Sequence, residues 1–271
     1  MEYCADIVKT GDPDRHAATM LARPDARGAL FALYAFNLEI ARAPWASAEE
    51  IVAMMRLQWW VDAVEDLANG TVRDHPVLPP LAAAVEKYGL PVEKLAEMAE
   101  ARRFDVYRDG HADRAAFDAY INTTSGNLMQ LAALTLGAPA QSLPVIADYA
   151  YAAGIANLLR ALPTLYARGR HPVPVACALD RNAVASGKVP ENLAQSLADI
   201  TADALARLQA AHKKRGLVPK SLLPALLAVP QVTMVLHKVN AAPEEALEMP
   251  LATSEFRKNA GQAWRAVTGL W

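Results

Sequence analysis

The stretch GIANLLRALPTLYARGRHPVP, from Gly154 to Pro174, decides how this chain folds. Its first half is apolar on nearly every side, and the residues before it, back to about position 142, continue in the same way. A helix without a polar face must be enclosed by other helices, so 142–166 reads as a central element of a bundle. Its few polar residues are therefore informative. Asn157 and Arg160 stand three apart among Ile155, Leu158, Leu159 and Leu162, and so share one helical face. A buried polar group without a partner costs free energy, so both need each other, water or a ligand. Gly169 and the prolines at 172 and 174 then stop the helix, and His171 ahead of Pro172 reads as part of a surface turn.

Working outward, the helical period continues. Leu30, Leu33, Tyr34, Asn37 and Ile40 recur at helical spacing, as do Ile51, Met54, Met55, Gln58, Trp59 and Asp62. Stops at Gly70, Gly89–Pro91, Asp109–Gly110, Gly137–Pro139 and Gly187–Pro190 divide the chain into expected helices at 26–43, 47–69, 75–88, 91–108, 113–136, 142–166, 190–214 and 253–269. The segment 113–136 is also apolar nearly all round, interrupted by Tyr120, Asn122, Thr123 and Asn127. No run alternates like a strand, the breaks are short, and no repeat period is visible. The expectation is one all-α domain over residues 1–271.

Composition narrows the function classes. Hydrophobic residues make up 53% of the 271 and charged ones 21%, enough for a large core and too apolar for a disordered chain. Twenty-seven Lys and Arg against 29 Asp and Glu give a net charge of −2, which offers no electrostatic case for nucleic acid. Cys4 and Cys177 form no disulfide framework and no zinc motif, so a reducing, cytoplasmic setting is expected. The opening MEYCADIVKTGDPDR carries four acids and no apolar core of the kind a signal peptide needs. The uncharged run Ser221–Leu236 contains Pro224 and Pro230 and is shorter than the roughly 20 residues of a spanning helix.

Two segments carry a family resemblance. LYAFNLEIARAPW, Leu33–Trp45, resembles the first aspartate-rich helix of the squalene/phytoene synthases, Y-A-Y-x-R-x-x-D-D-x-x-D. Gly154–Pro174 is similar to their second, N-x-x-R-D-x-x-E-D followed by R-G-R-x-Y-L-P. Gln58-Trp59-Trp60, Phe104–Tyr107 and Tyr120–Gly126 fall in family order between them. The resemblance implies an isoprenoid-synthase-type helical bundle around a central cavity. It also implies that carboxylates on two facing helices hold magnesium ions, which bind the diphosphates of two prenyl substrates. Magnesium is a hard cation and takes oxygen ligands.

Here the six acidic positions are Ala41, Arg42 and Trp45 in the first motif and Ala161, Thr164 and Leu165 in the second. Only Thr164 offers a side-chain oxygen. Glu39 lies about 200° round the helix from Ala41 and faces away. Asp62, Glu65 and Asp66 share a helical face, as a weak metal candidate or as a polar stripe pairing with Arg56. The expected pocket is Tyr34, Asn37, Trp59, Asp105, Tyr120, Asn157 and Arg160, with Phe36, Met55 and Trp60 as further apolar lining or plain core. Arg160 is expected either in an internal ion pair, with Asp105 or Glu39 as partner, or free to capture an anion.

Other chemistry is thin. The six histidines stand singly, no glycine-rich phosphate loop occurs, and Cys177 lacks the surroundings of a reactive thiol. Lys213, Lys214, Arg215 and Lys220 precede the apolar Leu222–Leu236, a pattern suited to an anionic membrane surface or to a solvated helix end. A branch of the family lacks both motifs and resembles assembly factors of respiratory complex I; Gln58–Trp60 and Leu158–Pro163 look like that branch. The resemblance thus implies a non-catalytic assembly or scaffold protein, partnered by subunits of a respiratory membrane complex and retaining a pocket for a lipid or prenyl ligand. It would need no cofactor and would sit in the cytoplasm or on the inner face of the membrane. The alternatives are a magnesium-dependent head-to-head prenyltransferase and a lipid carrier.

Overall fold

In the computed structural model the described residues are 2–47, 49–229, 231–248, 268 and 271, and they form helices and turns with no strand among them. The expected elements appear as α3 (Pro24–Arg42), α4 (Glu50–Ala68), α5 (Leu78–Tyr88), α6 (Val92–Ala101), α9 (Leu143–Ala167) and α11 (Glu191–Lys213). The expected helix 113–136 is α7 (Arg114–Ile121) and α8 (Asn127–Thr135), joined by a π turn over Asn122–Gly126. The segment 91–108 ends earlier than its spacing suggests, tightening into a 3₁₀ turn at Arg102–Val106. The expected helix 253–269 lies outside the described residues apart from Thr268.

Two helices precede the first expected one: α1 (Glu2–Gly11) and α2 (Pro13–Met20). Asp12 caps α2 by accepting the Arg15 N–H at 3.0 Å, and Pro13 occupies the first turn, where its missing N–H costs nothing. The short α10 (Arg181–Ala185) crosses the loop before α11, and α12 (Leu223–Leu226) and α13 (Val232–Ala241) follow it. Leu222–Val229 is buried throughout. The apolar neighbour of the basic turn therefore belongs to the core, which leaves the basic residues at the surface without it. Lys213, Lys214, Arg215 and Lys220 are exposed.

The bundle is organised around α9, which packs against α8, α11, α13 and the π turn. The approach to the π turn is close. A Cβ on Gly154 would stand 2.8 Å from both the Ile121 Cγ2 and the Ser125 Cβ, so only glycine fits without displacement. On the other side α3 packs against α1, α5 and α8, and α4 lies on α6. No helix among the described residues is long and apolar enough to cross a membrane.

Candidate functional site

Between α2, α3, the 3₁₀ turn, the π turn and α9 lies a cavity of about 810 Å³. Asn37 and Ala41 reach it from α3, and Trp45 from the 3₁₀ turn that follows. Asp105 and Tyr120 form another wall, and Asn157, Arg160, Ala161 and Leu165 project from α9. Residues far apart in the sequence, expected to share a pocket, therefore line one space. It is open at the former motif positions, with Ala41, Ala161 and Leu165 only partly covered and Trp45 36% exposed.

Several residues sit elsewhere. Tyr34 is buried beneath the floor and lines a crevice shared with Arg15 and Asn157; burial pushes its hydroxyl up to about 12. Trp59 does not line the cavity. It packs edge-on against Trp60 at 5.0 Å, with Arg73 over its ring. Phe36 and Trp60 are core, while Met55 is 67% exposed. Arg42 and Thr164 face outward. Asp66 pairs with Arg73 at 2.7 Å and Asp62 with the same guanidinium at 3.9 Å, so this stripe serves Arg73 rather than Arg56. Among the described residues no group of three His, Cys, Asp or Glu is placed to hold a metal.

The charges of the cavity are largely matched internally. Arg102 donates from Nη1 to Asp105 Oδ2 at 3.0 Å and to the Tyr120 hydroxyl at 2.8 Å. That hydroxyl in turn donates to Asp105 Oδ1 at 2.7 Å, closing a triangle. Burial, joined by the acceptor at Asp105, pushes the Tyr120 hydroxyl well above the usual phenol range. His111 stacks on Phe104 at 3.5 Å, and burial pulls its imidazole down to about 4. Arg15 pairs with Asp12, and Arg160 reaches Asp14 at 3.8 Å. The partner of Arg160 is thus neither Asp105 nor Glu39 but an acid on a helix that the period did not reveal. Its side chain is 30% exposed, so it sits at the rim rather than deep inside.

Five contributors carry little signal in the sequence: Asp12, Asp14, Arg15, Arg102 and Arg170. Asp12, Asp14 and Arg15 fall in the acidic opening stretch, although the Asp-Pro step at 12–13 is a helix-start signal. Arg102 had no signal beyond its nearness to Asp105. Arg170, the second arginine of R-G-R, stacks 4.0 Å from the centre of the Trp45 ring. His171, expected at the surface, is buried against the Tyr166 ring, because its N–H bonds the Arg108 carbonyl at 3.1 Å and draws the segment inward.

Comparison with known proteins bears on this cavity. Human NADH dehydrogenase (ubiquinone) complex I, assembly factor 6 is 25% identical over 246 residues, 88% of this chain and 73% of that protein. Its homolog in Dictyostelium discoideum is 24% identical over 256 residues, 92% of this chain and 72% of that protein. Among solved structures, squalene synthase HpnC from Alicyclobacillus acidocaldarius matches with a TM-score of 0.76 at 16% identity, over 89% of this chain and 92% of that one. A dehydrosqualene synthase in complex with ligand matches with a TM-score of 0.76 at 15% identity, over 99% and 95%. These identities speak to the isoprenoid-synthase-type fold alone. The squalene/phytoene synthase family model runs from residue 8 to residue 260, across both degenerate motifs and every wall of the cavity, and the chain belongs to that family.

Proposed function

We propose that this chain is a non-catalytic member of its family that acts as an assembly factor for a respiratory membrane complex of the complex I type. The observation that carries the reading is the pairing of a retained cavity with the side chains at its former metal positions. Ala41, Trp45, Ala161 and Leu165 face the space and offer it no oxygen. The acids that do line it are engaged with arginines, Asp12 with Arg15, Asp14 with Arg160, Asp105 with Arg102 and Asp109 with Arg181. This donor set does not fit magnesium, a hard cation that takes oxygen ligands, and without the metal the family's way of holding a diphosphate is lacking. The relatives named for complex I assembly support the same reading.

The cavity serves, in this account, to hold an apolar lipid or prenyl chain rather than to transform it. Its volume lies within the range of small-molecule pockets, and Leu38, Leu128, Leu158 and Ala228 give it apolar wall. Contact with an anionic membrane surface rests on the exposed turn of Lys213, Lys214, Arg215 and Lys220, each contributing about 1 kcal/mol close to such a surface. The experiment is a deletion in the source cell. Loss of the protein lowers the amount of assembled complex, and re-expression restores it. An unchanged level of complex after deletion overturns the assembly role.

A further inference from the structure

One side of α4 is spoken for: Ala53, Leu57, Trp60 and Val64 carry it into the core, and the helix lies on α6. The other side holds apolar residues that the core does not use. Ile51 and Met55, one turn apart, are 69% and 67% exposed, more than any other large hydrophobic residue among the described ones. Half-buried Met54 adjoins them. We propose that this face of α4 is a docking surface for a basic amphipathic helix of a partner protein.

The face is continuous. At 100° per residue Ile51, Met55, Gln58, Asp62 and Glu65 fall within an arc of about 80°, a stripe roughly 21 Å long. It is apolar over its first turn and acidic over its last. Arg56, the single cation in the sequence of α4, lies about 140° round the helix from Ile51 and so off the stripe. Asp66 takes Arg73 at 2.7 Å, and the same guanidinium is 3.9 Å from Asp62. Arg103, bonded to Gln58, is held by Glu100 at 2.7 Å. Glu65 is exposed and has no ion pair among the described residues. The far end of the stripe therefore keeps uncompensated negative charge.

That charge selects the partner. Single exposed hydrophobic residues are ordinary, but an apolar pair at i and i+4 that runs on into acids offers a second helix both contact area and a register. Lys or Arg about two turns beyond the partner's own apolar pair would meet Asp62 and Glu65. A second copy of this chain suits the face poorly. Parallel pairing sets Asp62 and Glu65 against themselves, and antiparallel pairing sets them against the exposed Glu49 and Glu50 at the start of α4. An anionic membrane is repelled by the same acids. The proposal adds a partner chemistry to the assembly reading and rests on that reading only for the source of the helix, a protein of the complex being assembled.

The test uses the full chain in its source cell, with a photo-reactive phenylalanine analogue in place of Met55 or, as a control, in place of the exposed Lys188. Mass spectrometry identifies the cross-linked segment. The expected result is a segment of another protein with apolar residues at i and i+4 and basic residues about two turns further on, joined from position 55 and not from position 188. Its yield should fall about tenfold in Ile51→Glu and in Asp62→Lys/Glu65→Lys, and reversing the partner's basic residues should restore the second loss. Ile51 is exposed, so Ile51→Glu should keep the wild-type Tm and its loss should be one of docking. The proposal is overturned if position 55 gives no specific cross-link, if it reaches a second copy, a lipid or a segment without basic residues, or if charge reversal leaves the yield unchanged. A deletion that leaves the complex at its normal level refutes the assembly role and still leaves this cross-link to be read. A missing cross-link refutes the docking surface alone.

Discussion

Replacing Asp105 by leucine removes the acceptor at the centre of the cavity's polar wall. Asp105 takes one hydrogen bond from Arg102 at 3.0 Å and one from Tyr120 at 2.7 Å, with the two charged side chains only 19% and 21% exposed. Removing one partner of a buried pair costs about 3–5 kcal/mol, mostly because the other charge is stranded. The residual exposure, and the bond that Arg102 keeps to Tyr120, place this case at the lower end, about 3 kcal/mol. For a chain of this size that corresponds to a fall in Tm of roughly 6–12 °C. Urea and thermal unfolding of Asp105→Leu, Arg102→Leu and the double variant measure it. The double variant should lose clearly less than the sum of the single losses, because no charge is then left unpaired. Additive losses, or an Asp105→Leu protein within about 0.5 kcal/mol of wild type, would refute the claim that this triangle is a coupled unit.

Three further outcomes follow from the same geometry. Gly154→Ala should lower stability by about 1–3 kcal/mol in urea melts, since its Cβ would press on Ile121 and Ser125 at 2.8 Å. Arg160→Met should cost no more than about 1 kcal/mol by the same assay, because its contact with Asp14 is 3.8 Å and its side chain is 30% exposed. His111, whose folded imidazole is pulled down to about 4 against the ordinary 6.5, leaves stability intact above pH 6.5 and erodes it as the pH falls towards 4, because the unfolded chain takes up the proton first. The shift corresponds to about 3 kcal/mol, and His111→Phe should remove that share of the acid sensitivity in pH-dependent melts.

Much of this fold is legible in the sequence because its central helices are apolar nearly all round, so spacing and glycine or proline stops suffice to find them. The helix α9 is the clearest case: expected at 142–166 and found at Leu143–Ala167. What escaped were short elements whose signals are local. The Asp-Pro start of α2 lies inside the acidic opening stretch, and with it the acid that meets Arg160. Periodicity also misplaced residues whose burial depends on packing partners. Trp59 has helical spacing suited to a pocket, yet its neighbours Trp60, His75 and Arg73 hold it away from the cavity. His171 stands before a proline and still turns inward, because a backbone hydrogen bond to Arg108, 63 positions earlier, fixes it there. Contacts at that separation leave no trace in local pattern.

The synthase-type cavity persists here with no acid at the six motif positions that would hold the metal to ionise a prenyl diphosphate. Release of diphosphate from farnesyl or geranylgeranyl diphosphate, measured with the purified chain in the presence of magnesium, tests it most directly. The expected result is release no faster than in the protein-free control, with no squalene, phytoene or cyclopropyl product. Magnesium-dependent release above that control, accompanied by any of those products, would contradict it.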